Sequence, residues 1–186
     1  MLYGLQSWVP TMLLRVYEWD LIQSGRIYGL IAMLAGSAGV LSGPFVLKLM
    51  NKKNISAPHF KLAIFGISMA SLSLVLLPFQ ANVNIALVFV TLASFFVTLP
   101  LAGTSSAMVI VSPNRIRGVI TGIYVVVTSV FGLVLGPFLV ASSTDFIFQD
   151  PNAVAKSLAL VSVLIGPVGI FFMLKGVNAF GEMKNV

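Results

Sequence analysis

The stretch VSPNRIRGVI, residues 111–120, sets a proline and two arginines in a chain that is otherwise almost bare of charge around them. Upstream of Arg115 no charged residue occurs back to Lys61; downstream of Arg117 none occurs until Asp145. An arginine at the centre of a bilayer costs about 2.5–3.5 kcal/mol even on the most lenient scale. Two of them, two residues apart, therefore mark a boundary between hydrophobic segments.

Composition supports that frame. The 186 residues are 58% hydrophobic and 9% charged, with a mean hydropathy of +1.03; a soluble domain carries about a quarter charged residues. The polar faces that would cover a soluble helical core are missing. The net charge of +6 is spread in short clusters between apolar runs, which is a topology pattern and not the basic stripe of a nucleic-acid partner. No cysteine is present, so disulfides and thiolate chemistry are excluded.

A helix crosses the hydrocarbon core with roughly 20 apolar residues. Working outward from Arg115, the charges and the PFQANVN turn (78–84) predict spans at about 27–48, 62–79, 85–111, 119–142 and 157–175. A sixth segment, about 1–15, spans only about 21 Å as a helix against a core of about 30 Å. It is expected to be the second half of a truncated span.

Numbering the connections alternately gives one side Lys48, Lys52, Lys53, Lys61, Arg115, Arg117, Lys175 and Lys184 against Glu182 alone. The other side collects Arg15, Arg26 and Lys156 against Glu18, Asp20, Asp145 and Asp150. The positive-inside rule puts the first side, and the C-terminus, in the cytoplasm. Asn114, Arg115, Arg117 and Gly118 then form a tight cytoplasmic turn. Arg15 and Arg26, near the outer mouth, are expected to snorkel.

The chain also repeats itself. AGVLSGPFV (38–46) and FGLVLGPFL (131–139) share G-x-x-x-G-P, as Gly39, Gly43, Pro44 and Gly132, Gly136, Pro137. Pro10 and Pro100 stand at a similar offset. Paired helix interruptions point to a transporter built from repeats, and three spans between equivalents make the two copies inverted, a 3+3 arrangement. Each motif alone could serve only close helix packing.

These residues resemble a known family. YGLQSWVPTMLLRVYEWD, the glycine-rich second span, SPNRIRG and GLVLGPFLVASSTDFIFQDP together are similar to the C-terminal six-helix half of a major facilitator superfamily transporter, most of all to spinster-like and related bacterial members. The resemblance covers essentially the whole chain and implies an all-α integral membrane fold. It also implies a missing N-terminal six-helix half as partner, multi-pass insertion in a cell (inner) membrane, and a cavity lined by the first, second, fourth and fifth spans. One departure is GPFVLKLMNKKN (43–54), where Leu47 and Met50 replace the aspartate and second glycine of the superfamily's loop motif.

Enzymatic chemistry has little to work with. His59 is the lone histidine; it is expected to be solvated in a polar loop, with no second histidine for a zinc pair and none to activate the serines of GTSS (103–106). No catalytic residue, metal or cofactor is expected. The candidates for a substrate cavity are uncharged: Tyr3, Gln6 and Ser7, with Pro10, on the first span; Thr98, with Thr91, Ser94 and Ser105, on the fourth; and Tyr124 and Thr128, with Thr121, on the fifth. The alternative for each Ser or Thr is a bond to its own or a neighbouring helix. Two functions remain open: a secondary transporter of a small organic solute, either an amphiphile or an organic anion, and a non-transporting membrane scaffold. In this cysteine-free background, Arg115→Cys and Asp150→Cys should react with an impermeant maleimide from opposite faces of the membrane. Labelling from the same face would break the span count.

Overall fold

The structure, a computed structural model, describes residues 1–103 and 116–183, with side chains as far as Val177. These residues form six helices and no strand. They are α1 (Leu2–Val16), α2 (Leu21–Lys52), α3 (Pro58–Leu76, ending in a 3-10 turn Leu77–Phe79), α4 (Val83–Thr98), α5 (Arg117–Phe148) and α6 (Val154–Met183). After Thr98 a turn at 99–100 precedes a last helical stretch to Gly103. Helices α2 to α6 are each long and apolar enough to cross a membrane. The architecture is that of an all-helical, multi-pass membrane protein.

The helices outrun the charge-bounded spans. α2 begins at Leu21 because Asp20 caps it, its carboxylate accepting from the Ile22 N–H at 2.8 Å and the Gln23 N–H at 3.4 Å. It then continues past Lys48 to Lys52. α5 likewise runs through Asp145. Charges mark where hydrocarbon must end, whereas the backbone ladder stops only where donors and acceptors find other partners. At 32 residues each, α2 and α5 reach about 48 Å, well beyond a core of about 30 Å.

The expected interruptions at Pro44 and Pro137 are not breaks. Both prolines sit inside continuous helices; a π turn at Phe131–Leu135 spans Leu133, whose carbonyl Pro137 leaves without its usual donor, and another π turn, Ala32–Gly36, lies upstream of Pro44. A wider turn of this kind keeps freed backbone groups satisfied where no water is at hand. Pro100 does coincide with a break, the turn that ends α4.

The short α1 is the centre of the bundle. Leu5, Val9, Met12 and Leu13 are at most 1% exposed and pack with Tyr28 of α2, Leu74 of α3, Val90 of α4, Val140 of α5 and Leu158 of α6. A second, smaller cluster joins Leu47, Leu62 and Leu99.

Hydrogen bonds tie the connections together at one end. The Tyr17 hydroxyl donates to the Gln80 carbonyl at 2.7 Å, and Arg15 Nη1 to the Pro151 carbonyl at 3.4 Å. This gathers the connections carrying Glu18, Asp20 and Asp150. At the opposite end Gly103 lies against Leu47 and His59, and Gly176 against Phe60, near the Lys52–Lys53 turn. His59 is not a freely solvated loop residue. It stands in the first turn of α3, half-buried, and its Nδ1 is buried without a hydrogen bond among the described residues. Of the expected cytoplasmic turn, Arg117 and Gly118 open α5, while Asn114 and Arg115 lie outside the described residues.

Gly39 tests this packing directly. A Cβ there would collide with the Phe95 carbonyl and Thr98 Oγ1, while one at Gly25 would meet nothing within 4 Å. Gly39→Ala should lower unfolding stability in detergent by about 1–3 kcal/mol through overpacking. Gly25→Ala should be neutral or add up to about 1 kcal/mol from helix propensity. Equal effects in a denaturant titration would refute the contact.

Candidate functional site

The two glycine motifs each seat a particular neighbour. On α2, Gly39 faces the Phe95 carbonyl and Thr98 Oγ1, and Gly43, one turn on, faces the Leu99 carbonyl, one turn on in α4. The matched four-residue steps mean that α2 and α4 run in the same direction. On α5, Gly132 lies under the Tyr3 ring and Gly136 against the Gly4 backbone of α1, a Cβ at Gly136 coming 3.3 Å from the Gly4 nitrogen. Each contact carries a cross-helix hydrogen bond from a side chain to a backbone carbonyl. Thr98 Oγ1 lies 3.0 Å from the Gly36 carbonyl, sharing its one proton with the Ser94 and Phe95 carbonyls of its own helix at 2.9 and 3.0 Å, and Trp8 Nε1 donates to the Pro137 carbonyl at 3.0 Å.

Between α1, α2 and α4 lies an open cleft of about 510 Å³. Its polar lining is Gln6, Tyr28, Ser37, Ser94 and Thr98, set among Leu2, Val40 and Leu41. That volume falls in the range of small-molecule sites, which are mostly apolar with a few placed polar groups. Among the described residues no Asp, Glu, Lys, Arg or His lines it.

Of the residues expected to line a cavity, Gln6, Ser94 and Thr98 meet in this cleft. Tyr3 instead covers Gly132, and Ser7 is exposed on α1. Tyr124 is half-buried and Thr128 exposed on α5, away from the cleft lining. The Thr128 hydroxyl lies 2.7 Å from the Tyr124 carbonyl, and Thr91 and Thr121 bond the carbonyl four residues back in the same way. These three hydroxyls satisfy themselves on their own helices. Ser105 lies outside the described residues.

Tyr28 and Ser37 were not singled out by the sequence reading. Tyr28 opens the charge-free run of the second span, where it passes for an interfacial aromatic. Its helical spacing to Ala32 and Gly36, which also line the cleft, was the available signal. The Tyr28 hydroxyl lies beside Ser94 without the geometry of a hydrogen bond, and Ser94 Oγ is buried with no other partner among the described residues. Among the described residues no three His, Asp or Glu side chains come together. No protein-family model matches the sequence, and no curated protein matches it.

Thr98 and Thr128 make a paired test. Thr98→Val removes a cross-helix bond and should cost about 1 kcal/mol of stability. Thr128→Val removes a bond within one exposed turn and should cost nothing measurable. Denaturant unfolding of the two variants in the same detergent would show the difference; equal losses would mean that the Thr98–Gly36 contact contributes nothing specific.

Proposed function

We propose that this chain is the C-terminal six-helix half of a major-facilitator-type secondary transporter, moving a small organic solute across a cell membrane by alternating access. The observation that carries the reading is the pairing of the glycine motifs. In an inverted 3+3 repeat the first, second and third helices correspond to the fourth, fifth and sixth. The contact of α2 with α4 then corresponds to that of α5 with α1, and these are the two contacts built by Gly39–Gly43 and Gly132–Gly136. Each also has its cross-helix bond to a carbonyl. Close approach of smooth faces is what allows helices to pack tightly in lipid, and a site between repeats is where transporters hold their substrate.

In this reading the end carrying Lys48, Lys52, Lys53 and Lys61 faces the cytoplasm, as do Arg117 and the C-terminus. No carboxylate lines the cleft among the described residues; if transport is proton- or ion-coupled, the coupling group belongs to the N-terminal six-helix partner. The bilayer covers the apolar outer faces of α2 and α5, among them Leu34, Phe45, Val126 and Phe138.

Proteoliposomes holding the chain together with an N-terminal six-helix bundle, loaded with a mixture of small metabolites and analysed by mass spectrometry, test the reading. At least one organic solute should exit faster than from protein-free liposomes, and Gly39→Leu should abolish that exit. The chain without the bundle should move none. No solute-specific flux from the pair would favour a non-transporting membrane scaffold.

A further inference from the structure

We propose that the cleft between α1, α2 and α4 binds an uncharged ligand that carries a hydroxyl group on an apolar body. The proposal rests on the transport reading for its biological sense, but its evidence is the chemistry of the lining. A charged ligand would leave water for a wall that offers no opposite charge: among the described residues the lining contains no acid and no base. Placing an ion in such surroundings without a partner is expensive enough to exclude it in favour of neutral solutes.

The donors and acceptors that remain suit a hydroxyl. Pro10 has no N–H to close on the carbonyl four residues back, which is that of Gln6, and Pro44 withholds the same donor from the Val40 carbonyl. Gln6 and Val40 both line the cleft. Thr98 lends its proton to backbone carbonyls, lying 3.0 Å from Gly36 O and 2.9 Å from Ser94 O, and so presents lone pairs. Thr98 Oγ1 and the Gln6 amide oxygen accept, and the Gln6 and Val40 carbonyls each lack their usual helical donor. Donors into the cleft are the Tyr28 hydroxyl and the Gln6 amide nitrogen. A ligand hydroxyl can take the Tyr28 proton and give its own to a carbonyl, which neither an anion nor an ammonium can do.

Ser94 explains why Tyr28 is placed where it is. Its hydroxyl is buried and without a hydrogen-bond partner among the described residues, and it shares the cleft lining with Tyr28. With a ligand bound, Ser94 can donate to the Tyr28 oxygen while Tyr28 donates to the ligand, so the unpartnered hydroxyl becomes satisfied. Ser94 is a positioning residue, and Tyr28 the one that touches the ligand. The apolar body rests on Leu2, Val40, Leu41 and Leu101.

Three photoreactive probes of one shape separate the possibilities: 4-benzoylbenzyl alcohol, 4-benzoylbenzoate and 4-benzoylbenzylamine, presented to the full chain in nanodiscs. Labelled peptides are mapped by mass spectrometry. The alcohol should label the segments around Gln6 and Val40 saturably, and the two charged probes should not. Tyr28→Phe should weaken saturation about ten-fold, the loss of one buried hydrogen bond. Ser94→Ala should weaken it similarly while leaving stability unchanged or raised, because it removes an unsatisfied polar atom. Val126→Ala, on the exposed face of α5, should leave labelling as it was. Saturable labelling of the same peptides by the benzoate or the amine would overturn the proposal. So would an unchanged affinity in Tyr28→Phe, provided the variant elutes as the parent does. Failure of transport itself would read differently: alcohol labelling at the cleft with no flux of any solute would leave this site standing and remove the transport reading, whereas flux restricted to charged solutes would do the reverse.

Discussion

The backbone of α2 lies directly on the backbone of α4, and much else in the molecule depends on that approach. It requires glycine at 39 and 43, because a Cβ at either position would occupy the space of the Phe95 or Leu99 carbonyl. In lipid there is little hydrophobic force to bring helices together, so attraction comes from dispersion and short polar contacts that need small residues. The approach brings Thr98 within reach of the Gly36 carbonyl and sets Tyr28, Gly36 and Ser37 opposite Ser94 and Thr98 across the cleft. Gly66 extends the same logic to the other side of α4, where it faces the Phe96 carbonyl and Pro100. α4 is thus gripped by glycines from two helices.

Within such a bundle, every hydroxyl must find an acceptor in the protein. Most do so in the least informative way, on the carbonyl one turn back, as Ser73, Thr91, Thr121 and Thr128 do. A few bridge helices: Thr98 to α2, and Thr144 of α5 to Ser157 of α6 at 2.8 Å. These cross-links tie elements that sequence separates. Ser24 and Ser94 do neither among the described residues. An unsatisfied buried hydroxyl costs about 1–3 kcal/mol, and of the two it is Ser94 that borders an open volume.

Much of the architecture was legible because lipid imposes simple rules. Charges at Lys48, Lys61 and Arg117, with the turn around Gln80–Asn82, marked where helices had to stop crossing, and the alternation of basic and acidic ends follows from the same constraint. Helix ends were less legible, because Asp20 caps α2 well outside its apolar run and hydropathy does not register a cap. The prolines misled for a related reason: a missing N–H can be absorbed by a π turn in place of a break, and that choice depends on neighbours. At the cleft, Gln6 and Thr98 were readable as large or periodic polar groups in apolar helices. Tyr28 was not, since tyrosine at a span's edge is ordinary, and what distinguishes it is the cleft it shares with Ser94 of α4, 66 residues away. The fifth-helix stripe looked equivalent on spacing alone; self-bonding of Thr121 and Thr128 became visible only with coordinates.

The two glycine contacts are alike in sequence and unlike in stiffness. At Gly39 and Gly43 the obstructing atoms are carbonyl oxygens of α4, which cannot move without the helix. At Gly132 the obstruction is the Tyr3 ring, the far end of a side chain that can swing, and at Gly136 the nearest backbone atom leaves 3.3 Å for a Cβ. α5 is also the least buried of the five long helices, and the 14 residues from Arg117 to Val130 that open it include no buried one. Among the described residues its further ties, the core packing of Val140, the Trp8–Pro137 bond and the Thr144–Ser157 bond, all lie in its second half. The π turn at Phe131–Leu135 lies at the start of the half of α5 that packs on the bundle among the described residues. Among the described residues the rigid contact, α2 on α4, is thus the one that borders the cleft, and the deformable one holds α5 to α1.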